Sequence, residues 1–208
     1  PTTDAAPVAL TADGSAEYAP SFIPGTDKVA YLAADADGAM QLWMMNADGS
    51  ARKQISFEAT DVNDYLFSPC GKKVILVKTI THEKSVQQND ADLQLTTGIV
   101  ANDLIYKHWD HYTTSALHPF VAEFDGNKVG ESKDLLEGEP YECPMLPFGG
   151  VEQLAWSPDS KQIAYTCRKL AGLDYAISTD SDIYLYDIAT GTVKNLCKPE
   201  GYVRPTCD

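Results

Sequence analysis

Residues Trp156-Ser157-Pro158-Asp159-Ser160-Lys161-Gln162-Ile163-Ala164-Tyr165 decide how this chain is read. A Pro-Asp-Ser turn stands between an aromatic residue and a short apolar run, the pattern of a tight hairpin. The pattern recurs upstream as Phe67-Ser68-Pro69-Cys70-Gly71-Lys72-Lys73-Val74-Ile75-Leu76. It recurs in looser form as Ser21-Phe22-Ile23-Pro24-Gly25-Thr26-Asp27-Lys28-Val29-Ala30-Tyr31. Each copy has a downstream partner. Residues 41–46 lead through Asp48-Gly49 to 52–56, residues 120–124 through Asp125-Gly126 to 133–136, and residues 182–187 through Thr190-Gly191 to 193–196. Two hairpins per copy make four antiparallel strands, which is one blade of a β-propeller.

The spacing agrees with that unit. Pro69 follows Pro24 by 45 positions, the length of a four-stranded blade. Pro158 follows Pro69 by 89, yet only one blade's worth of strands is legible between them. The excess, residues 81–118, lacks strand alternation and reads as an insertion between the second and third strands of the middle blade. Residues 90–112 are helix-compatible, with Leu93, Ile99, Leu104, Ile105 and Trp109 as the apolar positions and Gly98 as an interruption. The expected fold is therefore all-β: a single partial propeller over 1–208, with blades at about 16–56, 64–138 and 150–199. Residues 7–11 and 202–208 read as lone edge strands. A closed ring takes about four to eight blades, so the chain reads as a fragment of a longer one. Its two terminal blade faces are expected to be bare and to favour self-association.

Composition narrows the function. Of 208 residues, 44% are hydrophobic, enough for a core. Sixteen Lys and Arg against 30 Asp and Glu leave a net charge of −14. That balance argues against nucleic acid and against anionic lipid as partners. No apolar run approaches the ~20 residues of a spanning helix, so no membrane partner is expected. Residues 1–7 carry neither an initiator Met nor a signal pattern, and read as a trimmed or excised end. Cys70, Cys143, Cys167, Cys197 and Cys207 lack CxxC spacing, which disfavours zinc and leaves their pairing open.

The Ser-Pro-Asp-Ser-Lys-Gln-Ile-Ala-Tyr run at 157–165 and the Met-Asn-Ala-Asp-Gly-Ser-Ala-Arg-Lys-Gln-Ile run at 45–55 resemble the repeats of TolB-like propellers. They equally resemble the propeller of the prolyl oligopeptidase family of serine peptidases. The insertion separates the two. Asn102-Asp103-Leu104-Ile105-Tyr106-Lys107-His108-Trp109-Asp110, the following His118-Pro119-Phe120-Val121 and Pro147-Phe148-Gly149-Gly150 are similar to segments of that family's bacterial acylaminoacyl and dipeptidyl peptidase V-like members. The resemblance implies a C-terminal α/β-hydrolase domain with a Gly-x-Ser-x-Gly elbow. No such elbow occurs in these 208 residues, so no catalytic residue is assigned here.

Tyr106, His108, Trp109 and Asp110 are the candidate substrate-cavity or interdomain residues, against a plainer role in capping their own blade. His108 and His111, three apart beside Asp110, lack a third metal ligand; neither metal nor cofactor is expected. Glu137, Glu139 and Glu142 read as a solvated acidic loop, and Asp174, Asp180 and Asp182 as a solvated rim. Tyr31, Trp43, Phe67, Trp156, Tyr165, Tyr184 and Tyr186 alternate along strands, which marks core. The expected function is to gate short peptides into the hydrolase domain of a secreted or periplasmic serine exopeptidase or oligopeptidase. The expected partners are that domain and its peptide substrate. The alternatives are a TolB-like protein-binding propeller without chemistry and a bare scaffold.

Overall fold

The computed structural model describes residues 7–11, 14, 16–100, 114–170 and 172–198. Among the described residues, twelve strands form three antiparallel four-stranded sheets, each in sequence order. The first holds β1 (Glu17–Phe22), β2 (Lys28–Ala34), β3 (Met40–Asn46) and β4 (Lys53–Gln54). The second holds β5 (Val62–Phe67), β6 (Lys73–Thr81), β7 (Ser115–Glu123) and β8 (Lys133–Asp134). The third holds β9 (Leu154–Trp156), β10 (Gln162–Cys167), β11 (Asp182–Asp187) and β12 (Val193–Asn195). Three four-stranded blades, as expected from the sequence, are present, and the fold is a partial propeller.

The repeat is exact enough to be read in the register. Tyr31 faces Trp43, Leu76 faces Phe120, and Tyr165 faces Tyr184, each pair at the same step of its blade. Period-2 alternation then sends successive residues of β6 to different cores. Val74 and Leu76 pack with Leu32, Leu42, Tyr65 and Phe67 between the first two sheets. Ile75 and Val77 pack with Ile163, Tyr165 and Tyr184 between the last two. Side chains stitch the same junctions. Tyr65 Oη lies 2.6 Å from the Ala19 carbonyl and 2.7 Å from that of Ala30. Trp156 Nε1 donates to the Leu66 carbonyl at 3.0 Å.

The first-to-second-strand turns also stack. Gly71 has φ +68°, and a Cβ there would sit 2.3 Å from the Pro24 carbonyl oxygen. A side chain would force the first two turns apart, so glycine permits their contact. Ser160 occupies the equivalent place in the third blade with φ +60°. Its Oγ accepts from the Cys70 N–H at 3.1 Å, offsetting part of the left-handed strain.

Several boundaries differ from the sequence reading. β7 begins at Ser115, so Ser115 to His118 belong to the blade. Pro119, the next residue, also stands within the strand. Its carbonyl accepts from Leu135 N–H, which places the proline's missing donor on the β8 side and spares the β6 ladder. Residues 90–100 are turns and irregular chain, and a four-residue helix α1 (Val86–Asn89) stands before them. Ser85 and Gln88 close a capping box around α1, but the helix buries no residue, and without a packed face so short a helix does not extend. Residues 7–11 form no strand, because no neighbouring strand offers them a ladder. Residues 202–208 lie outside the described residues. The expected bare face on the first blade is instead buried: Val29, Tyr31, Ala33 and Met45 are at most 8% exposed. Arg52 reaches across that face, with Nε donating to Tyr31 Oη at 3.0 Å.

Candidate functional site

The residues favoured from sequence, Tyr106, His108, Trp109 and Asp110, all lie outside the described residues, as does His111. The described part of the insertion borders a cleft of ≈ 490 Å³ lined by Glu83, Lys84, Val86, Asn89, Asp90 and Val100. No group of three or more His, Cys, Asp or Glu that could hold a metal occurs among the described residues.

The structure instead concentrates polar chemistry at the two blade junctions. Between the first and second sheets, Gln41 is fully buried and fastens the linker after β4. Its Nε2 donates to the Glu58 carbonyl at 3.0 Å, while its Oε1 accepts from Ser56 Oγ and Glu58 N–H at 2.7 and 3.0 Å. The linker thereby presents the Glu58 carboxylate to Lys78, at the far end of β6. Lys78 Nζ lies 2.6 Å from Glu58 Oε2, 2.8 Å from Ser132 Oγ and 3.8 Å from the centre of the Phe120 ring. Lys78 is 8% exposed, so these partners replace most of its hydration. Phe120 and His118 lie two apart on β7, on the same face. Asp134 takes both of its carboxylate oxygens to within 3.0 Å of His118 Nδ1. His118 is fully buried, and its Nε2 has no hydrogen-bond partner among the described residues. A cleft of ≈ 560 Å³ opens beside this group, lined by Phe57, Glu58, Lys78, Lys128 and Ser132 among others.

The second junction repeats the device. Tyr184 stands where Phe120 stands in the previous blade, and Lys169 Nζ lies 4.6 Å from its ring centre. The carboxylate again comes from the preceding linker: Glu139 lies 2.6 Å from Lys169. Tyr165 stacks on Tyr184 at 5.4 Å, and burial pushes the Tyr184 phenol up to about 12, helped by nearby Asp182. The acidic loop of the sequence reading is thus only partly solvated. Glu137 is exposed, but Glu139 is paired with Lys169, and Glu142, 8% exposed, accepts from the Tyr175 hydroxyl. Asp182 is likewise no rim residue. It opens β11 nearly buried and accepts from Lys198 Nζ at 2.7 Å and Asn195 Nδ2 at 2.9 Å. These bonds to Asp182, and those to Asp180, raise the Lys198 ammonium above its ordinary range.

The aromatics named from sequence do serve the core, and Tyr31, Phe67, Tyr165, Tyr184 and Tyr186 are buried. Cys70, Cys143, Cys167 and Cys197 are free thiols. Burial pushes the Cys167 thiol up to about 12, whereas hydrogen bonds from Ser160, Ser68 and the Lys72 amide draw exposed Cys70 down to about 7. Charge at the junctions is matched in pairs, which suits struts between blades rather than a reacting centre.

No protein-family model matches the chain. It is 41% identical over 187 residues to dipeptidyl-peptidase 5 of Porphyromonas gingivalis, covering 90% of this chain and 27% of that protein. It is 39% identical over 188 residues to dipeptidyl-peptidase 5 of Porphyromonas endodontalis, with the same coverage. The chain therefore spans about a quarter of the length of the curated relatives it matches. Among solved structures, acylaminoacyl peptidase of Pyrococcus horikoshii superposes with a TM-score of 0.56 at 15% identity, over 86% of this chain and 25% of that one. At that identity the superposition speaks for the fold alone.

Proposed function

We propose that this chain is the β-propeller portion of a prolyl oligopeptidase-family peptidase, and the wall and gate of an enzyme whose chemistry lies elsewhere in a longer parent. The observation that carries the proposal is the 41% identity to a dipeptidyl-peptidase over nine-tenths of this chain, against little more than a quarter of the relative. The remaining length of such a parent leaves room for a hydrolase domain with a Ser-His-Asp triad. These 208 residues hold no Gly-x-Ser-x-Gly elbow. In this reading the insertion, with Tyr106, His108, Trp109 and Asp110, borders the route of a short peptide substrate to that domain. The parent works outside the cytoplasm, in the periplasm or secreted.

The test is to express the parent and the 208-residue chain side by side. The parent is expected to release dipeptides from chromogenic dipeptidyl amides and to lose that turnover to a serine-directed fluorophosphonate. The chain alone is expected to do neither. A parent without fluorophosphonate-sensitive turnover refutes the proposal, as does turnover by the isolated chain. The protein-binding alternative draws less support, since both curated relatives are named for a peptidase activity.

A further inference from the structure

We infer that Cys143 and Cys167, thiols in this structure, are partners in a disulfide that joins the second blade to the third, closed during folding by exchange with a small-molecule or protein disulfide.

Of the four described cysteines these two alone share a core, and each is 0% exposed. They enter it from different blades. Cys143 lies in the linker after β8, and its N–H donates to the Leu117 carbonyl of β7 at 2.8 Å, so its backbone is fixed to the second blade. Cys167 ends β10 of the third blade, on the rung opposite Asp182. Its thiol is aimed at the linker, with Sγ 3.4 Å from the Glu142 carbonyl oxygen. Across a trans peptide that oxygen stands about 2.8 Å from the next Cα. Cys167 Sγ therefore lies within roughly 6 Å of Cys143 Cα, close enough for side-chain rotation to bring the two sulfurs together.

The repeat gives this contact its meaning. Leu76 and Tyr165 occupy the same step of their blades, so two residues further on Lys78 and Cys167 also share a place. From that place Lys78 reaches back to Glu58 of the linker before its blade. Cys167 reaches back in the same way to the linker before its own blade, where it meets Glu142 and the adjoining Cys143. One junction thus has an ionic strut at this place and the other a pair of sulfurs, which carry no charge to be desolvated. A bond there also holds the linker that presents Glu139 to Lys169 and Glu142 to Tyr175.

The chemistry decides when the bond forms. Exchange needs a thiolate. Burial pushes the Cys167 thiol up to about 12, and it raises Cys143 as well, with nearby Cys167 adding to the effect. The folded interior therefore blocks the reaction, whereas the still-exposed thiols of the folding chain undergo it. One protein thiolate attacks oxidised glutathione and expels a glutathione thiolate. The second protein thiolate then attacks the protein sulfur of the mixed disulfide and expels the other glutathione. Two protein thiols and one glutathione disulfide become one protein disulfide and two glutathione thiols, and two electrons pass to glutathione.

The test is to refold the full-length parent from urea and reductant into oxidised and reduced glutathione, alkylate the remaining thiols in urea, and digest with trypsin without reduction. Cys143 and Cys167 fall in separate tryptic peptides, 134–161 and 162–168, each with no other cysteine. The two are expected as one linked species, at least about tenfold over their alkylated forms, as for a structural disulfide that resists glutathione. Protein kept reduced throughout is expected to give both peptides alkylated, and Cys143→Ser is expected to leave 162–168 alkylated under oxidising conditions. Parent secreted into a bacterial periplasm and never reduced is digested in parallel, so that a failure to refold does not hide the answer. Both peptides alkylated in that protein, or either one linked to a different cysteine, overturns the inference. Linkage is read without reference to turnover. A linked pair in a parent that lacks peptidase activity refutes the proposed function and keeps the bond.

Discussion

The Glu58–Lys78 contact should bind the first blade to the second by an amount that a double-mutant cycle can isolate. Lys78→Met removes the ammonium that sits over the Phe120 ring but keeps most of the apolar stem. It leaves Glu58 Oε2, on a side chain 15% exposed, with only Ser132 Oγ at 3.1 Å. Stranding one member of a buried pair costs about 3–5 kcal/mol. Glu58→Gln leaves the ammonium on Ser132 and Phe120 and should cost less, about 1–3 kcal/mol, in the range for a charged hydrogen bond lost. The two changes together restore neutrality, so their combined cost should fall short of the sum by about 1–3 kcal/mol. The assay is equilibrium urea unfolding followed by tryptophan fluorescence, which reports Trp43 and Trp156 in the first and third blades together with Trp109 of the insertion. Additivity within about 0.5 kcal/mol would refute the reasoning, because the pair would then be a surface contact of no consequence.

Other outcomes follow from neighbouring features. Gly71→Ala forces a Cβ against the Pro24 carbonyl in a left-handed backbone, and should cost at least about 2 kcal/mol in the same urea assay. An unchanged midpoint would show that the two turns do not touch. The Cys70 thiol, drawn down to about 7, should be half thiolate near that pH, so its alkylation rate should already be about half-maximal there. Ser160→Ala should move that midpoint upward, and buried Cys143 and Cys167 should stay unmodified until the chain unfolds. Trp109→Ala in the parent should lower kcat/KM more than it lowers the melting temperature, through a displaced cavity wall. Normal kcat/KM in a destabilised variant would assign Trp109 to capping its own blade.

The blades were legible because their information is local. A Ser-Pro-Asp-Ser-Lys turn between apolar runs commits its two flanking strands to a hairpin, and three copies reveal the repeat. The junction chemistry was not legible, because its members are far apart in sequence and ordinary in type. Glu58 and Lys78 are 20 positions apart, and Lys78 and Ser132 are 54 apart. One local signal was present. Lys78 continues the apolar run 74–77 in the phase that places it with Val74 and Leu76, facing the first blade. A charged residue on a core phase demands a partner, and only the structure shows that Glu58 of the preceding linker supplies it. Asp182 misled for the opposite reason. Its flanking Ser-Thr-Asp-Ser sequence looks like solvated loop, and only the return of Lys198 after β12 shows the carboxylate to be enclosed.

The divided allegiance of β6 has a consequence for how such a chain tolerates insertion and deletion. Parity along that strand assigns each residue to one of two cores. Losing a single residue would therefore exchange the occupants of both at once, sending Val74 and Leu76 where Ile75 and Val77 belong. Losing two would keep the parity but carry Lys78 from its place opposite His118 to the Leu76 place opposite Phe120, out of register with Glu58. The strand behaves as a reading frame with a period of two, punctuated by one charged residue. Length variation is thus driven out of the blades and into the connections, and the one long insertion of this chain opens just past the end of β6.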